Sequence, residues 1–145
     1  MYCVRPATPA DAGALQSIYA SCLQTADWLP ALSRVRPDFA GASRGETVFV
    51  ATMKDGRVVG LVAVWTLEDF IHHLYVAPAF RRRGVGQLLL ASLDAWLAPP
   101  WRLKCVRKNH RAYAFYRQLG WIEVGAGSSA DGPFALLEWA PGPVS

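Results

Sequence analysis

The chain has 145 residues, of which 52% are hydrophobic and 18% charged, with a formal net charge of +4 at pH 7. That balance predicts one globular domain over residues 1–145 and argues against a disordered chain, and no apolar run reaches the roughly eighteen residues of a membrane span. Three widely spaced cysteines, Cys3, Cys22 and Cys105, form no C-x-x-C pair, and His72, His73 and His110 lack H-E-x-x-H spacing, so neither a disulfide framework nor a metal is predicted.

In chain order, MYCVRPATPADA lacks the apolar core of a signal peptide, which predicts a cytoplasmic protein; within it CVRPAT (3–8) reads as a strand. Thr8 or Pro9 opens a helix running through Asp11 to Cys22, with Ala14, Leu15, Ile18 and Leu23 on one face. Residues 24–45 read as irregular. TVFVATM (47–53) and VVGLVAVWTL (58–67) flank Asp55-Gly56 as a hairpin, and IHHLYV (71–76) is the next strand. A helix follows Gly86 and stops at Ala98, because Pro99 and Pro100 cannot continue it. WRLKCV (101–106) returns as a parallel strand, with Cys105 as an inert buried thiol. Asn109 is an N-cap for a short amphipathic helix carrying Ala112, Phe115, Tyr116 and Leu119, which ends at Gly120. WIEVGAG (121–127) and PFALLEWA (133–140) finish as two strands, and PGPVS is a tail. These elements predict a mixed α/β sheet, mainly antiparallel, with helices on both faces.

The most informative stretch is Arg81-Arg82-Arg83-Gly84-Val85-Gly86-Gln87, between a strand and a helix. Glycines there let backbone N–H groups approach a ligand, and the helix start adds unpaired amides and a positive dipole end, so an anion is expected. Leu89 replaces the third glycine of a dinucleotide fingerprint and no Gly-Lys-Ser/Thr follows Gly86, which speaks against a dinucleotide or nucleoside triphosphate. The other basic residues, Arg102, Lys104, Arg107, Lys108 and Arg111, lack interleaved exposed aromatics, and no helix-turn-helix or zinc-finger pattern is present, so a nucleic acid partner is not expected.

Arg81-x-x-Gly84-x-Gly86 after a Leu74-x-Val76 strand end resembles the acetyl-CoA signature of the GNAT superfamily of N-acyltransferases. NHRAYAFYRQLGW (109–121) resembles that family's other shared segment, in its order and at its separation, with Trp121 where Phe is usual. The resemblance is strong over residues 71–121 and rests on element order elsewhere. It implies an acetyl-CoA-dependent N-acetyltransferase in which amine and thioester react directly in a ternary complex. It also implies a splayed central strand pair, here 70–76 and 101–106, with the pantetheine arm lying along Leu74, Tyr75 and Val76 like an added strand. The pyrophosphate would lie on the N–H groups of Arg82 to Gln87. Arg81, Arg83, Asn109, Ala112 and Phe115 would complete the coenzyme site, and the Val76 N–H would stabilise the oxyanion.

Tyr116 matches the position that protonates the departing thiolate. Where many members carry a catalytic Glu, this chain has Phe70. By strand alternation His72 shares a face with Phe70 and Leu74 and is the expected base, at a position where some arylalkylamine-type members carry histidine. Glu68, Asp69 or water are the alternatives, and His73 points to the other face. By position alone the acceptor would meet Trp28, Leu29, Arg34, Arg36, Phe39, Arg44 and the loop 125–133, with Trp28 and Phe39 as an apolar wall. Asp27, Asp38 and Glu46 are matched in number by those arginines, so this is not an acidic well, and a small amine that is aromatic or carries a carboxylate is favoured over a polycation. A peptide or protein acceptor, and a non-catalytic acyl-CoA-binding module, are the alternative functions. The family also suggests a homodimer.

Overall fold

Apolar alternation builds one seven-stranded sheet in the computed structural model, which describes residues 1–30, 34 and 37–141. The strands are β1 (Tyr2–Pro6), β2 (Thr47–Met53), β3 (Val58–Trp65), β4 (Phe70–Val76), β5 (Trp101–Val106), β6 (Ile122–Ser129) and β7 (Gly132–Trp139). Their order is β1-β2-β3-β4-β5-β7-β6, and β4–β5 is the parallel neighbour pair among antiparallel ones. The predicted mixed sheet is what forms. The terminal hairpin enters it by its second strand, β7, which lies between β5 and the edge strand β6.

The helices are α1 (Ala12–Thr25), α2 (Phe39–Ala42), α3 (Val85–Ser92) and α4 (His110–Gln118). They depart from the sequence reading at their ends. A 3-10 turn over Pro9–Asp11 precedes α1, which runs on to Thr25. Part of the stretch expected to be irregular folds as α2, because the Asp38 side chain accepts a hydrogen bond from the Gly41 N–H at the helix start. Residues 93–95 tighten to 3-10 geometry before the two prolines, and Thr66–Glu68 form a 3-10 turn where strand was expected. Most of the expected tail, residues 142–145, lies outside the described residues.

Both sheet faces are covered. α3 and α4 close one core around Val62, Val64, Ile71, Leu89, Leu93, Leu103 and Leu137, and α1 and α2 close the other around Leu15, Ile18, Phe39, Val50, Leu61 and Ala63. Strands buried on both faces have no polar side to alternate, which is why β3 reads as the nearly unbroken apolar run VVGLVAV.

Two irregularities position the functional groups. β4 and β5 share one register pair, Phe70 with Arg102, and then diverge, while the other edge of β5 pairs with β7 along its whole length. In addition, β4 bulges against β3: His73 pairs with Ala63 and Ile71 with Val64, so His72 is the extra residue.

Candidate active site

The divergence of β4 and β5 opens a cleft of about 890 Å³, walled by Leu74, Tyr75 and Val76 on one side and by Asn109, Ala112, Phe115 and Tyr116 on the other. Ala77 donates its N–H to the Val59 carbonyl at 2.8 Å, so by ladder alternation the main-chain groups of Leu74 and Val76 turn away from β3 towards the open side. An extended ligand can therefore bond to β4 as β5 would have done.

One end of the cleft is the basic turn. Arg82 (φ 63) and Gly84 (φ 80) both lie in the left-handed region, and Gly84 caps α3. The first amides of α3 have no intrahelical acceptor, and together with the turn they form a concave, electropositive backbone surface. A Cβ on Gly86 would stand 3.3 Å from the Phe115 ring, so the glycine is also what lets α3 and α4 approach at the cleft. Arg81 reaches back along the floor, donating from Nε to the Val76 carbonyl at 3.4 Å and from Nη2 to Cys22 Sγ at 3.5 Å. Arg83 does not line the cleft; its guanidinium lies over the Phe80 ring at 5.3 Å. Every other residue expected at the coenzyme, Gln87 included, lines it.

Asn109 caps α4, its Oδ1 accepting from the Ala112 N–H at 3.2 Å, while the residue itself faces the cleft. Two turns on, Tyr116 is 8% exposed, held between Phe115 and Trp121 by edge contacts at 5.3 and 5.5 Å. Burial, and more weakly the nearby Cys105 and Tyr75, raise its pKa well above that of an ordinary phenol. Its proton is thus retained at neutral pH, which suits an acid and excludes a base. Cys105 is buried, its thiol pushed up to about 11, in keeping with an inert side chain.

The bulge changes the histidine reading. His72 does not share a face with Leu74; it is turned to the α1–α2 side next to His73, with ring centroids 4.2 Å apart. One extra residue resets the period-2 alternation, so both histidines meet Glu46, a contact with no sequence signal because 26 residues separate Glu46 from His72. His72 Nδ1 lies 2.7 Å from Glu46 Oε2; the carboxylate side chain is 3% exposed and the imidazole 51%. His73 is buried against Tyr19, Phe39 and Tyr75; Tyr75 lines the cleft, but His72, His73 and Glu46 do not. Glu68 and Asp69 do not line the cleft, and the Asp69 carbonyl accepts from the Arg102 N–H where β4 and β5 still touch.

Of the residues expected around the acceptor, Trp28 lines the cleft next to Asp27. Phe39 does not: it is 3% exposed in the core beneath α1, in tilted contact with Tyr19. Leu29 is likewise buried, beside Leu23 and Ala26. Arg34 is half-buried, Arg44 is exposed, and Arg36 lies outside the described residues. Asp131, at the tip of the terminal hairpin, and Asp38 bear electrostatically on Tyr19, but neither lines the cleft, where Asp27 is the lining carboxylate.

A family model described as the acetyltransferase (GNAT) family matches residues 13–121. The aminoglycoside N(6')-acetyltransferase type 1 of Stenotrophomonas maltophilia is 32% identical, in an alignment covering 77% of this chain and 84% of that protein. The solution structure of apo YjaB from Escherichia coli superposes with a TM-score of 0.81 at 20% identity, covering 98% of this chain and 99% of that one. The structure of yncA from Salmonella typhimurium with its cofactor acetyl-CoA gives a TM-score of 0.72 at 16% identity, covering 95% of this chain and 92% of that one. With the cleft, the basic turn and the two motifs on it, these likenesses identify the chain as a member of the GNAT family, an acetyl-CoA-dependent N-acetyltransferase.

Proposed function

We propose that this enzyme acetylates a primary amine of a small molecule, with His72 as general base, Glu46 as the residue that positions it, and Tyr116 as general acid. The observation that carries the assignment is the 2.7 Å contact between His72 Nδ1 and the buried Glu46 carboxylate. A carboxylate there holds the proton on Nδ1 and leaves the Nε2 lone pair free. In the reaction the amine nitrogen attacks the thioester carbonyl carbon and its proton passes to His72, directly or through one water. The main-chain N–H groups of Leu74 and Val76 face the developing oxyanion. When the C–S bond breaks, the thiolate takes the Tyr116 proton, and His72 returns its own to solvent as Tyr116 is reprotonated.

The coenzyme's pyrophosphate would rest on the Arg82–Gln87 turn and its pantetheine along β4. Arg83 is left outside this set. For the acceptor, the aminoglycoside-acetylating relative and Asp27 on the cleft wall support a polycationic amine; this moves the weight away from the carboxylate-bearing acceptor expected from the sequence. Cytoplasmic residence and a homodimer belong to the same reading; among the described residues no helix is long and apolar enough to cross a membrane.

The test is thiol release from acetyl-CoA across aminoglycosides, amino acids, arylalkylamines and peptides, with Tyr116→Phe, His72→Ala and Glu46→Gln alongside. Turnover with one class, lost in Tyr116→Phe, establishes acid and acceptor together. A pH–rate profile of His72→Ala that overlays the unmutated enzyme removes His72 as base. In Glu46→Gln the alkaline plateau of kcat should fall while the KM for acetyl-CoA holds, a split that a merely structural carboxylate would not produce.

A further inference from the structure

The β4 bulge brings three donor groups together, with one ligand atom each from Glu46, His72 and His73 lying within 4.8 Å of one another. Two further features distinguish this cluster from an ordinary ion pair. Glu46 Oε1 and His73 Nδ1 are both buried and have no hydrogen-bond partner. Among the described residues no lysine or arginine pairs with Glu46, whose ionic contacts are the two imidazoles. His73 Nε2 lies 3.3 Å from the Ala42 carbonyl and 4.0 Å from Glu46 Oε2, so this nitrogen is the one that faces the cluster. The site is rich in buried acceptors and poor in positive charge, which is costly unless a cation joins it.

We propose that Glu46, His72 and His73 bind a single divalent transition-metal ion of the zinc type, and that the bound ion inhibits acetyl transfer. Two imidazoles and one carboxylate are a donor set for zinc and its neighbours rather than for magnesium or calcium. Tetrahedral ligands at about 2.0–2.2 Å from the ion stand about 3.3 Å apart. Closing the cluster to that spacing asks for about an ångström of side-chain movement, and His72, half in solvent, gives the ion its entry. Binding at Nδ1 of His72 shifts the ring's proton to Nε2, and because protons compete with the ion for the imidazoles and the carboxylate, affinity should weaken as pH falls. The inhibitory part rests on His72 being the base: with metal on Nδ1 the neutral ring carries its proton on Nε2 and cannot accept another.

Cobalt(II) titration of the metal-free full chain, followed by its visible d–d bands and by zinc competition, reads the site without turnover. One cobalt per chain is expected, displaced by zinc, without a thiolate charge-transfer band, and weakened at least about tenfold in His72→Ala and Glu46→Gln. His73→Gln is a third variant, but His72→Ala alters an exposed ring and keeps the test sound if the buried change impairs folding. Absence of a one-to-one complex, a thiolate band, or unchanged affinity in His72→Ala overturns the site. Should cobalt bind as described while zinc leaves turnover untouched, the inhibitory role is overturned and the site stands. The His72→Ala pH–rate profile separately decides whether the base assignment has failed.

Discussion

His73 should make this protein acid-sensitive over a defined window. The ring is 8% exposed among Tyr19, Phe39 and Tyr75, with His72 and Glu46 the other titratable groups against it. Burial first, then the neighbouring His72, lower its pKa from 6.5 to about 4, against a smaller upward pull from the Ala42 carbonyl. Above the unfolded value neither state holds the proton and stability is flat. As pH falls below it the unfolded chain takes up a proton that the native ring refuses, so stability is lost down to the folded value. At about 1.4 kcal/mol per pH unit the full loss is about 3 kcal/mol, a substantial part of the 5–15 kcal/mol typical of a domain.

The assay is urea unfolding with a chelator present, between about pH 7.5 and about pH 4.5, where about 2.5 kcal/mol should already have gone. That range keeps clear of Asp11, which Arg5 and the Thr8 N–H hold well below the usual carboxylate range and whose contribution is lost only in stronger acid. With a urea slope of about 1–3 kcal/mol per molar, the midpoint should drop by about 0.8–2.5 M in the unmutated protein. In His73→Gln the drop should largely disappear. A flat midpoint in the unmutated protein, or an equal drop in the variant, would refute the assignment of acid sensitivity to this buried ring.

Other outcomes follow from the cleft. Tyr116→Phe should lower kcat by about 10²- to 10⁴-fold with the KM for acetyl-CoA little changed, since the ring stays and only the proton donor goes; an unchanged kcat removes Tyr116 as the acid. Gly84→Ala meets no atom within 4 Å but forces an alanine to φ 80. It should cost about 1–2 kcal/mol in thermal unfolding and raise the KM for acetyl-CoA, whereas a Tm within error of the parent would show the turn to be free of strain. In native thiol titration Cys3, which is exposed, should react fast, while Cys22 and Cys105, buried and with raised thiol pKa values, should react only on unfolding. Three fast thiols would contradict the packing described.

The elements that announced themselves in the sequence are those whose signals are local. A strand running into Arg81–Gln87, two prolines behind a helix, Asn109 at an N-cap and Gly120 at its stop each specify backbone within a few residues. The basic turn and the Asn109-capped helix formed where they were expected, with Asn109 and Tyr116 lining the cleft, whereas the helix expected to reach Ala98 ends at Ser92 and passes into a 3-10 turn. Family resemblance supplied their chemistry, because spacing alone predicts an anion and not a thioester.

What tertiary structure alone decided depends on contacts between distant segments. The bulge at His72 comes from the pairing of β4 with β3, and it overturned the strict alternation that had set the two histidines on opposite faces. Glu46 joins them across 26 residues, and Phe39, read as a substrate wall, is buried because α2 closes over the sheet. Residue spacing within a strand is a one-dimensional property of the chain, so sequence carries it; which residue bulges, and which carboxylate it then meets, are set by the neighbouring strand and the packed helices, and exist only once the chain has folded.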